Sequence, residues 1–473
     1  MYLNGDWIGS DYEVFTEIIN PATKEVVGAV PTGGAYEAKQ AVDAAHKAFK
    51  PWSKKTADER YQLLMKWFYL IEKHKDEIAR IMTIEQGKPL KEALGEVQYA
   101  NGFISWYAEE GKRIYGETIP ASHPNKRILV RKEPVGVVAA ITPWNFPAAM
   151  ITRKVGPALA AGCTVVVKPA TQTPLTALKM AELAHEAGIP NGVINVITGR
   201  SSEIGDVWLK DPRVTKITFT GSTEVGKMLM RGAAENVKKV SLELGGNAPF
   251  IVMDDANLEK AAVGLVQSKF RNAGQTCICT NRVYVHEGVA DKFIKLFQAE
   301  LEKLKVGNGL QEGTDIGPLI DKAAYKKVES LVSDALKKGG KVTYSGLKPA
   351  KDTGYFYAPT ILTDINDEME CMKEEIFGPL APISTFKTEE EVIERANSSC
   401  YGLAAYVYTE NLSRSFRITE QLEYGIIGLN DALPSAVQVP FGGYKESGLG
   451  REGGHFGIEE FLEVKYISIG LDI

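Results

Sequence analysis

Between residues 135 and 219, this chain of 473 residues alternates short apolar runs with longer segments of helical spacing. The apolar runs have the length and composition of buried strands and are 135–141, 164–167, 193–197 and 214–219. The segments 174–187 and 201–209 between them are predicted helices. Because single helices between strands act as crossovers, we expect the strands to run parallel in a sheet that is covered on both faces.

A second series of the same kind follows Gly245 and Gly246. Its predicted strands are 249–252 and 282–285, and its predicted helices are 258–270, 290–304 and 323–336. The first hundred residues are instead rich in helical spacing. We therefore predict an α/β fold with two doubly wound, Rossmann-like domains and a ligand site between them, where sheets of this type bind ligands.

Charge and cysteine content exclude several classes of protein. The formal net charge is −5 and no basic stretch offsets it, which argues against a nucleic-acid partner. The five cysteines are too few for a disulfide scaffold and lack zinc-site spacing with histidine, so no metal is expected. Because Pro143, Asn145 and Pro147 interrupt the most apolar run and no signal-peptide pattern is found, we expect a cytoplasmic protein without membrane contact.

Three segments carry side chains suited to covalent acyl chemistry. Cys277 lies in FRNAGQTCIC, Glu243 begins ELGGN, and Asn145 lies in PWNFP. A thiol is a nucleophile once it is deprotonated, a carboxylate can act as a general base, and a side-chain amide can donate to an oxyanion. Taken singly, each has a structural explanation: a buried cysteine, a strand carboxylate or a turn cap.

Together the three segments resemble the aldehyde dehydrogenase family, and the resemblance runs from Leu3 to the last predicted strand. It implies a dinucleotide-binding domain at 1–116 and 137–243 and a catalytic domain at 244–430. Residues 431–459 would include the loop through which substrate enters and the return to the cofactor domain.

The same resemblance implies a small β-arm formed by residues 117–136 and 460–473. In the family such an arm packs on a neighbouring subunit, so we expect a homodimer or homotetramer. The alternative is that the alternating tail strand pairs within its own chain, which would also protect its edge.

The resemblance assigns Cys277 as the nucleophile, Asn145 as the oxyanion donor together with the Cys277 backbone N–H, and Glu243 as the general base. Thiolate attack on an aldehyde would give a thiohemiacetal, hydride loss would give a thioester, and water activated by Glu243 would release the acid. The rival interpretations are a thiol esterase, a CoA-acylating relative, and an inactive binding or structural relative.

The predicted strand 214–219 leads through Gly221 and Ser222 into a helix start, where backbone N–H groups can hold a diphosphate. The usual G-x-G-x-x-G fingerprint is absent, but the turn resembles the shortened form found in aldehyde dehydrogenases. The resemblance also implies cofactor contacts at Trp144 and, in the segment EEIFGP, at Glu375 and Phe377.

Lys168 ends a predicted strand and, by the resemblance, binds the adenosine ribose. Many NAD-preferring relatives carry a glutamate three residues later, where this chain has Thr171. A threonine tolerates a 2′-phosphate that a carboxylate would repel, and it leaves Lys168 free to pair with that phosphate. The sequence therefore favours NADP over NAD as the cofactor, with use of both as the alternative.

Arg153, Arg271 and Ser435 indicate an anionic substrate. Two guanidinium groups that converge on a pocket can bind a carboxylate, and neutral-aldehyde members of the family usually lack an arginine at the Arg271 position. These positions resemble succinate-semialdehyde dehydrogenases. Glutarate semialdehyde, one carbon longer, and a neutral aldehyde remain alternatives, as do structural roles for both arginines.

Cys279 lies two residues from the proposed nucleophile. In some succinate-semialdehyde dehydrogenases the equivalent pair forms a disulfide that closes the site under oxidation. Residues at i and i+2 of a regular strand are poorly placed for that bond, so a small apolar neighbour is the alternative.

Overall fold

The computed structural model describes residues 1–349 and 353–472, and two large sheets in this part of the chain confirm the α/β prediction. The first sheet has parallel strands at its centre and short antiparallel strands at both edges. In spatial order its strands are Asp6–Trp7, Tyr2–Leu3, Ile194–Val196, Thr164–Lys168, Val137–Ile141, Val214–Thr220, Lys239–Glu243 and Gly448–Leu449.

The second sheet is parallel except at one edge, where Lys341–Ser345 runs antiparallel to its neighbour. In spatial order its strands are Lys341–Ser345, Thr360–Thr363, Leu380–Phe386, Thr280–His286, Ala248–Val252, Ala404–Tyr408 and Ile426–Leu429. Its central strands are buried along almost their whole length, as expected for parallel strands covered by helices.

Helices pack around both sheets. Before Glu243 they are Ala35–Ser53, Ala57–Lys73, Lys75–Gln86, Leu90–Glu110, Ala149–Ala161, Pro174–Glu186, Ser201–Lys210 and Thr223–Ala234. After it they are Leu258–Phe270, Ala290–Leu301, Lys322–Lys337, Glu370–Lys373, Glu389–Asn397, Leu412–Gln421 and Phe456–Glu459. None of these helices in the described residues is both long and apolar enough to cross a bilayer.

Local sequence explains where several of these helices begin and end. The Asn257 side chain accepts the N–H of Lys260 at 3.0 Å and caps the helix Leu258–Phe270. Gly162 ends the helix Ala149–Ala161 with a φ of 101°, a left-handed conformation that glycine adopts without steric cost.

The first hundred residues are rich in helix, as predicted, but they also contain strands that the sequence analysis did not identify. Phe15–Ile19 and Val26–Pro31 form an antiparallel hairpin before the first helix, and Tyr2–Leu3 joins the edge of the first sheet. These strands are short and partly exposed, and none of them has the length and full burial of the central strands.

The predicted arm is a three-stranded antiparallel sheet. Its strands are Glu117–Ile119, Lys126–Pro134 and Leu462–Gly470, with the middle strand paired to both others. The tail strand is thus paired within its own chain, from Leu462 opposite Pro134 to Gly470 opposite Lys126. One face of this strand exposes Val464 and Tyr466, and assembly through the arm stays a prediction.

Candidate active site

Cys277 lies in the loop between the helix Leu258–Phe270 and the strand Thr280–His286. The loop turns sharply because Asn272, Ala273 and Gly274 all have positive φ, at 50°, 55° and 75°. A Cβ at Gly274 would overlap the carbonyl oxygen of Gly378, so only glycine fits this turn. The backbone that presents the thiol is therefore held against the second sheet.

The Asn145 loop is bonded directly to the cysteine loop. The Asn145 side-chain amide donates to the carbonyl oxygen of Gln275 at 3.1 Å. The Asn145 carbonyl oxygen accepts from Lys88 Nζ at 2.7 Å and from the Asn272 side-chain amide at 3.0 Å. The structure thus brings Asn145 and Cys277 together, and an oxyanion role for the remaining amide N–H stays a prediction.

Glu243 is the last residue of its strand, paired in register with Thr220, and is buried. Burial and then the charge of Glu452 raise the pKa of Glu243 well above its usual range, although Arg153 and Lys154 act in the opposite direction. Its Oε2 atom has no hydrogen-bond partner among the described residues. A protonated Glu243 carboxyl would have to lose its proton before acting as a base.

Burial also keeps the Cys277 thiol protonated. Burial raises the pKa of Cys277 to about 12. The positive charge of Arg153 acts against this rise, whereas the negative charges of Glu375 and Glu243 add to it. Cys279 is buried beside it as a second free thiol, with its Sγ donating to the Gly274 carbonyl at 3.1 Å. Regulation through these two cysteines stays a prediction.

Glu452 is a member of the site that the sequence analysis did not identify. Its carboxylate binds Arg153 Nε at 2.8 Å and also accepts from Lys154, which donates to Thr220 Oγ1 at 2.6 Å. Although burial raises it, the attraction of Lys154 and Arg153 leaves the pKa of Glu452 below its usual value. Glu452 lies in a glycine-rich closing segment without regular spacing, so no sequence pattern distinguishes it.

Two cavities meet at Cys277, which lines both. The first, here called the tryptophan cavity, has a volume of about 270 Å³. Its walls include most of the predicted cofactor residues: Trp144, Gly221, Ser222, Glu375 and Phe377. Lys168 and Thr171 do not line it.

The tryptophan cavity has the features of a nucleotide site. Ser222, which lines the cavity, caps the helix Thr223–Ala234 by accepting the Val225 N–H, so the N-terminus of this helix lies at the cavity. A Cβ at Gly245 would lie 3.0 Å from Glu375 Oε2, so glycine keeps this wall open. Phe377 packs edge-on against Trp144, with ring centres 5.5 Å apart. An aromatic wall beside a helix N-terminus fits a dinucleotide.

One carboxyl group and one amino group among the predicted cofactor residues have shifted pKa values. Glu375 Oε1 accepts the Gly246 N–H at 2.9 Å, and burial raises the pKa of Glu375 to about 7. Burial lowers the pKa of Lys168 to about 8, and its Nζ donates to the Pro169 carbonyl at 2.7 Å. Thr171 is exposed on the turn that follows.

The second cavity, here called the arginine cavity, has a volume of about 350 Å³ and contains all three predicted substrate residues, Arg153, Arg271 and Ser435. Arg153 is engaged by Glu452 and stacks on Phe441, with its guanidinium 3.9 Å from the ring centre. Arg271 lies 5.4 Å from the ring centre of Phe146. Its guanidinium makes no hydrogen bond or salt bridge with the described residues. Burial raises the pKa of the neighbouring Glu92 carboxyl, and the charges of Lys88 and Arg271 oppose that rise.

Other residues of the arginine cavity were missed by the sequence analysis. They are Lys88, Glu92, Gly95, Glu96, Tyr99, Phe146, Met150, Thr276, Ile278, Leu433 and Phe441. Glu92, Gly95, Glu96 and Tyr99 follow helical spacing along Leu90–Glu110, so one helix face forms this wall. That face looks like an ordinary amphipathic stripe in sequence. No group of three or more metal-ligating side chains was found in the described part of the chain.

Comparisons with known proteins agree with this geometry. Residues 7–467 match the aldehyde dehydrogenase family. The NADP(+)-dependent succinate-semialdehyde dehydrogenase GabD of Escherichia coli is 55% identical over 99% of this chain and 97% of its own. A glutarate-semialdehyde dehydrogenase of Pseudomonas aeruginosa has the same identity and coverage.

A somewhat less similar relative and a solved structure extend the comparison. A 3-sulfolactaldehyde dehydrogenase of Pseudomonas putida is 51% identical over 99% of this chain and 96% of its own. The crystal structure of an E. coli NADP-dependent enzyme superposes with a TM-score of 0.98 at 55% identity, covering 99% of this chain and 98% of that one. The chain therefore belongs to the aldehyde dehydrogenase family, as the sequence analysis predicted.

Proposed function

We propose that this enzyme oxidises succinate semialdehyde to succinate with NADP+ as the preferred cofactor. The observation that carries the proposal is the Arg271 guanidinium, which lines the arginine cavity without a salt-bridge partner among the described residues, while Cys277 lines the same cavity. A short aldehyde with a carboxylate at its other end can satisfy both groups at once.

Relatives support an anionic aldehyde. The three relatives described above are named for succinate semialdehyde, glutarate semialdehyde and 3-sulfolactaldehyde, each of which carries an acidic group apart from its aldehyde. Glutarate semialdehyde is the second candidate, because one methylene changes discrimination by only ~1–3 kcal/mol in a pocket. The Arg271 guanidinium, which has no salt bridge in the described part of the chain, suits either compound.

The proposed reaction begins on Cys277. The thiol first gives up its proton, to an ionised Glu243 or to water, and the thiolate attacks the aldehyde carbon. The resulting oxyanion accepts hydrogen bonds from the Asn145 amide and the Cys277 backbone N–H. The oxidised nicotinamide, when bound, supplies the acceptor for the hydride that leaves this carbon. The product on the enzyme is then a thioester of Cys277.

Hydrolysis of the thioester requires a base. Glu243 takes a proton from water as the water oxygen attacks the thioester carbon, and the C–S bond then breaks to release the acid and restore Cys277. Because burial and Glu452 raise its pKa, Glu243 becomes a stronger base once ionised, but fewer molecules carry it ionised at neutral pH. We therefore expect turnover to increase with pH through the neutral range.

NADP is preferred in this proposal because no carboxylate follows Lys168 at the Thr171 position. Lys168 lies at the carboxyl end of its strand, and burial lowers its pKa to about 8, so a 2′-phosphate that binds it would also stabilise its charged form. The relative GabD is named for NADP(+). Use of NAD remains the alternative.

Initial rates of cofactor reduction test the proposal directly. The substrates are succinic semialdehyde, glutaric semialdehyde and uncharged butyraldehyde, each with NADP+ and with NAD+. We expect the highest kcat/KM for succinic semialdehyde with NADP+. Equal use of butyraldehyde would contradict an anionic substrate, and a clear preference for glutaric semialdehyde would replace the substrate while keeping the anion site.

We also propose that the β-arm assembles the enzyme into a homodimer or homotetramer. The arm exposes Val464 and Tyr466, both more than half exposed in the single chain. Light scattering coupled to size-exclusion chromatography should give a multiple of 51.7 kDa. A monomer at micromolar concentration would contradict this assignment.

A further inference from the structure

Gly95 is a glycine in the interior of the helix Leu90–Glu110 that packing does not explain. A glycine in this position destabilises a helix relative to alanine. At Gly102, in the same helix, a Cβ would lie 3.1 Å from Val437 Cγ1, so close packing accounts for that glycine. At Gly95 a Cβ would meet no described atom within 4 Å outside the backbone of its own helix. The space in front of Gly95 is therefore open.

This space belongs to the arginine cavity. Gly95 lines that cavity together with Glu92 and Tyr99, which lie three residues before it and four residues after it on the same helix face. Cys277 lines the same cavity. A side chain at position 95 would therefore extend into the volume where the substrate is proposed to bind. We call the space in front of Gly95, between Glu92 and Tyr99, the glycine notch.

The helix that carries the notch is held in place on both sides of Gly95. Glu92 Oε2 accepts the N–H of Asn272 at 2.8 Å, and Glu96 Oε1 accepts the N–H of Ala148 at 2.9 Å. These bonds tie the helix to the loop of the proposed nucleophile and to the loop of the proposed oxyanion donor. Bulk added at Gly95 should therefore reduce the volume of the cavity, because moving the helix outward would break these bonds.

The arginine cavity has more room than a four-carbon substrate fills. Its volume is about 350 Å³. The seven non-hydrogen atoms of succinic semialdehyde need about 200 Å³ at ~30 Å³ each, the share of one water molecule in the liquid. The remaining volume can hold further methylene groups of a longer aldehyde.

We propose that Gly95 is a specificity-determining residue that sets the length of the aldehyde the enzyme accepts. The extra methylene groups of glutaric and adipic semialdehyde, with five and six carbons, occupy the glycine notch while the aldehyde carbon reaches Cys277. The enzyme thus oxidises these longer semialdehydes in addition to succinic semialdehyde. This inference rests on the proposed function, since it uses the same cavity as the substrate site, but it concerns chain length and not charge.

The test fills the notch with Gly95→Ala and Gly95→Val. For Gly95→Val, we expect kcat/KM for adipic semialdehyde, relative to succinic semialdehyde, to fall by ~10- to 100-fold, as overpacking of a filled site predicts. The uncharged pair hexanal and butyraldehyde should show a similar change, and Gly95→Ala a smaller one with both pairs. Gly205→Ala is the matched control, because Gly205 also lies inside a helix, Ser201–Lys210, and its Cβ would meet no described atom within 4 Å. It should change neither ratio.

Three results would overturn the inference. They are an unchanged ratio of adipic to succinic semialdehyde in the Gly95 variants, an equal loss with short and long aldehydes, and a wild-type enzyme that does not oxidise adipic semialdehyde. Gly95→Ala keeps the test available if valine disturbs the helix, since alanine favours a helix over glycine. Failure of the proposed function looks different. In that case the wild-type enzyme would not prefer succinic semialdehyde over butyraldehyde, whereas Gly95→Val would still discriminate hexanal from butyraldehyde.

Discussion

The buried ion pair between Lys88 and Glu96 is expected to hold the Asn145 loop in place. Both side chains are about 1% exposed. Lys88 Nζ also donates to the Asn145 carbonyl at 2.7 Å, while Glu96 Oε1 accepts the N–H groups of Ala148 and Ala149 at 2.9 and 3.2 Å. One pair therefore anchors the loop and the start of the next helix.

Removing one partner leaves the other charge buried without compensation. Lys88→Met and Glu96→Gln should each lower the free energy of unfolding by ~3–5 kcal/mol, the usual cost of breaking a buried pair. The double variant removes both charges, so its loss should be well below the sum of the two single losses. Glu96→Gln keeps an oxygen that can accept from Ala148 and Ala149, and should therefore disturb the helix start less.

Activity separates this anchoring role from stability alone. Lys88→Met removes a donor to the Asn145 carbonyl, so kcat should fall further than in Glu96→Gln, with ~10²–10³ as the limit set by loss of an oxyanion donor. Guanidinium denaturation followed by tryptophan fluorescence gives the unfolding energies, and steady-state rates with succinic semialdehyde give kcat. Additive unfolding losses, or equal kcat in both single variants, would refute the reasoning.

Three further predictions concern the reactive groups. Because burial raises the pKa of Cys277 to about 12, iodoacetamide should modify this thiol slowly at pH 7 in the cofactor-free enzyme. The modification rate, measured by peptide mass, should increase about tenfold per pH unit, and a plateau below pH 9 would contradict this. Arg271→Met should raise KM for succinic semialdehyde by ~10- to 100-fold and leave KM for butyraldehyde almost unchanged. An equal rise in KM for both aldehydes would indicate that Arg271 has a structural role instead. Glu452→Gln removes a negative charge that raises the pKa of Glu243, so the rising limb of the kcat–pH profile should move to lower pH, and a move to higher pH would exclude this coupling.

The architecture could be predicted from sequence because its signals are local. The predicted helix 258–270 is observed as Leu258–Phe270, and the predicted strand 214–219 as Val214–Thr220. Buried parallel strands and their crossover helices are long, continuous patterns that depend little on distant residues. The short strands before residue 32 are harder to predict, because Tyr2–Leu3 is too short for a periodic pattern and is positioned by pairing with the distant Val196.

The site residues also differ in whether local sequence identifies them. Cys277, Asn145 and Glu243 lie in motifs, and the structure brings their segments to one place. Tyr99 and Glu452 could not be found in this way, because their importance depends on what they meet across the fold. Tyr99 belongs to an ordinary helix stripe in the sequence. Glu452 acquires its role only because the chain returns to the first sheet at Gly448–Leu449, after the strands of the second sheet.

The charges around Cys277 act together rather than singly. Arg153 and Lys154 share Glu452, so the pair of cations is only partly neutralised, and Glu243 responds to all three. The attraction of Lys154 and Arg153 leaves the pKa of Glu452 below its usual value, whereas burial and the charge of Glu452 raise the pKa of Glu243, so Glu452 ionises before Glu243 as the pH rises. The hydrolytic step of the proposed reaction therefore depends on pH through Glu243 rather than through Glu452.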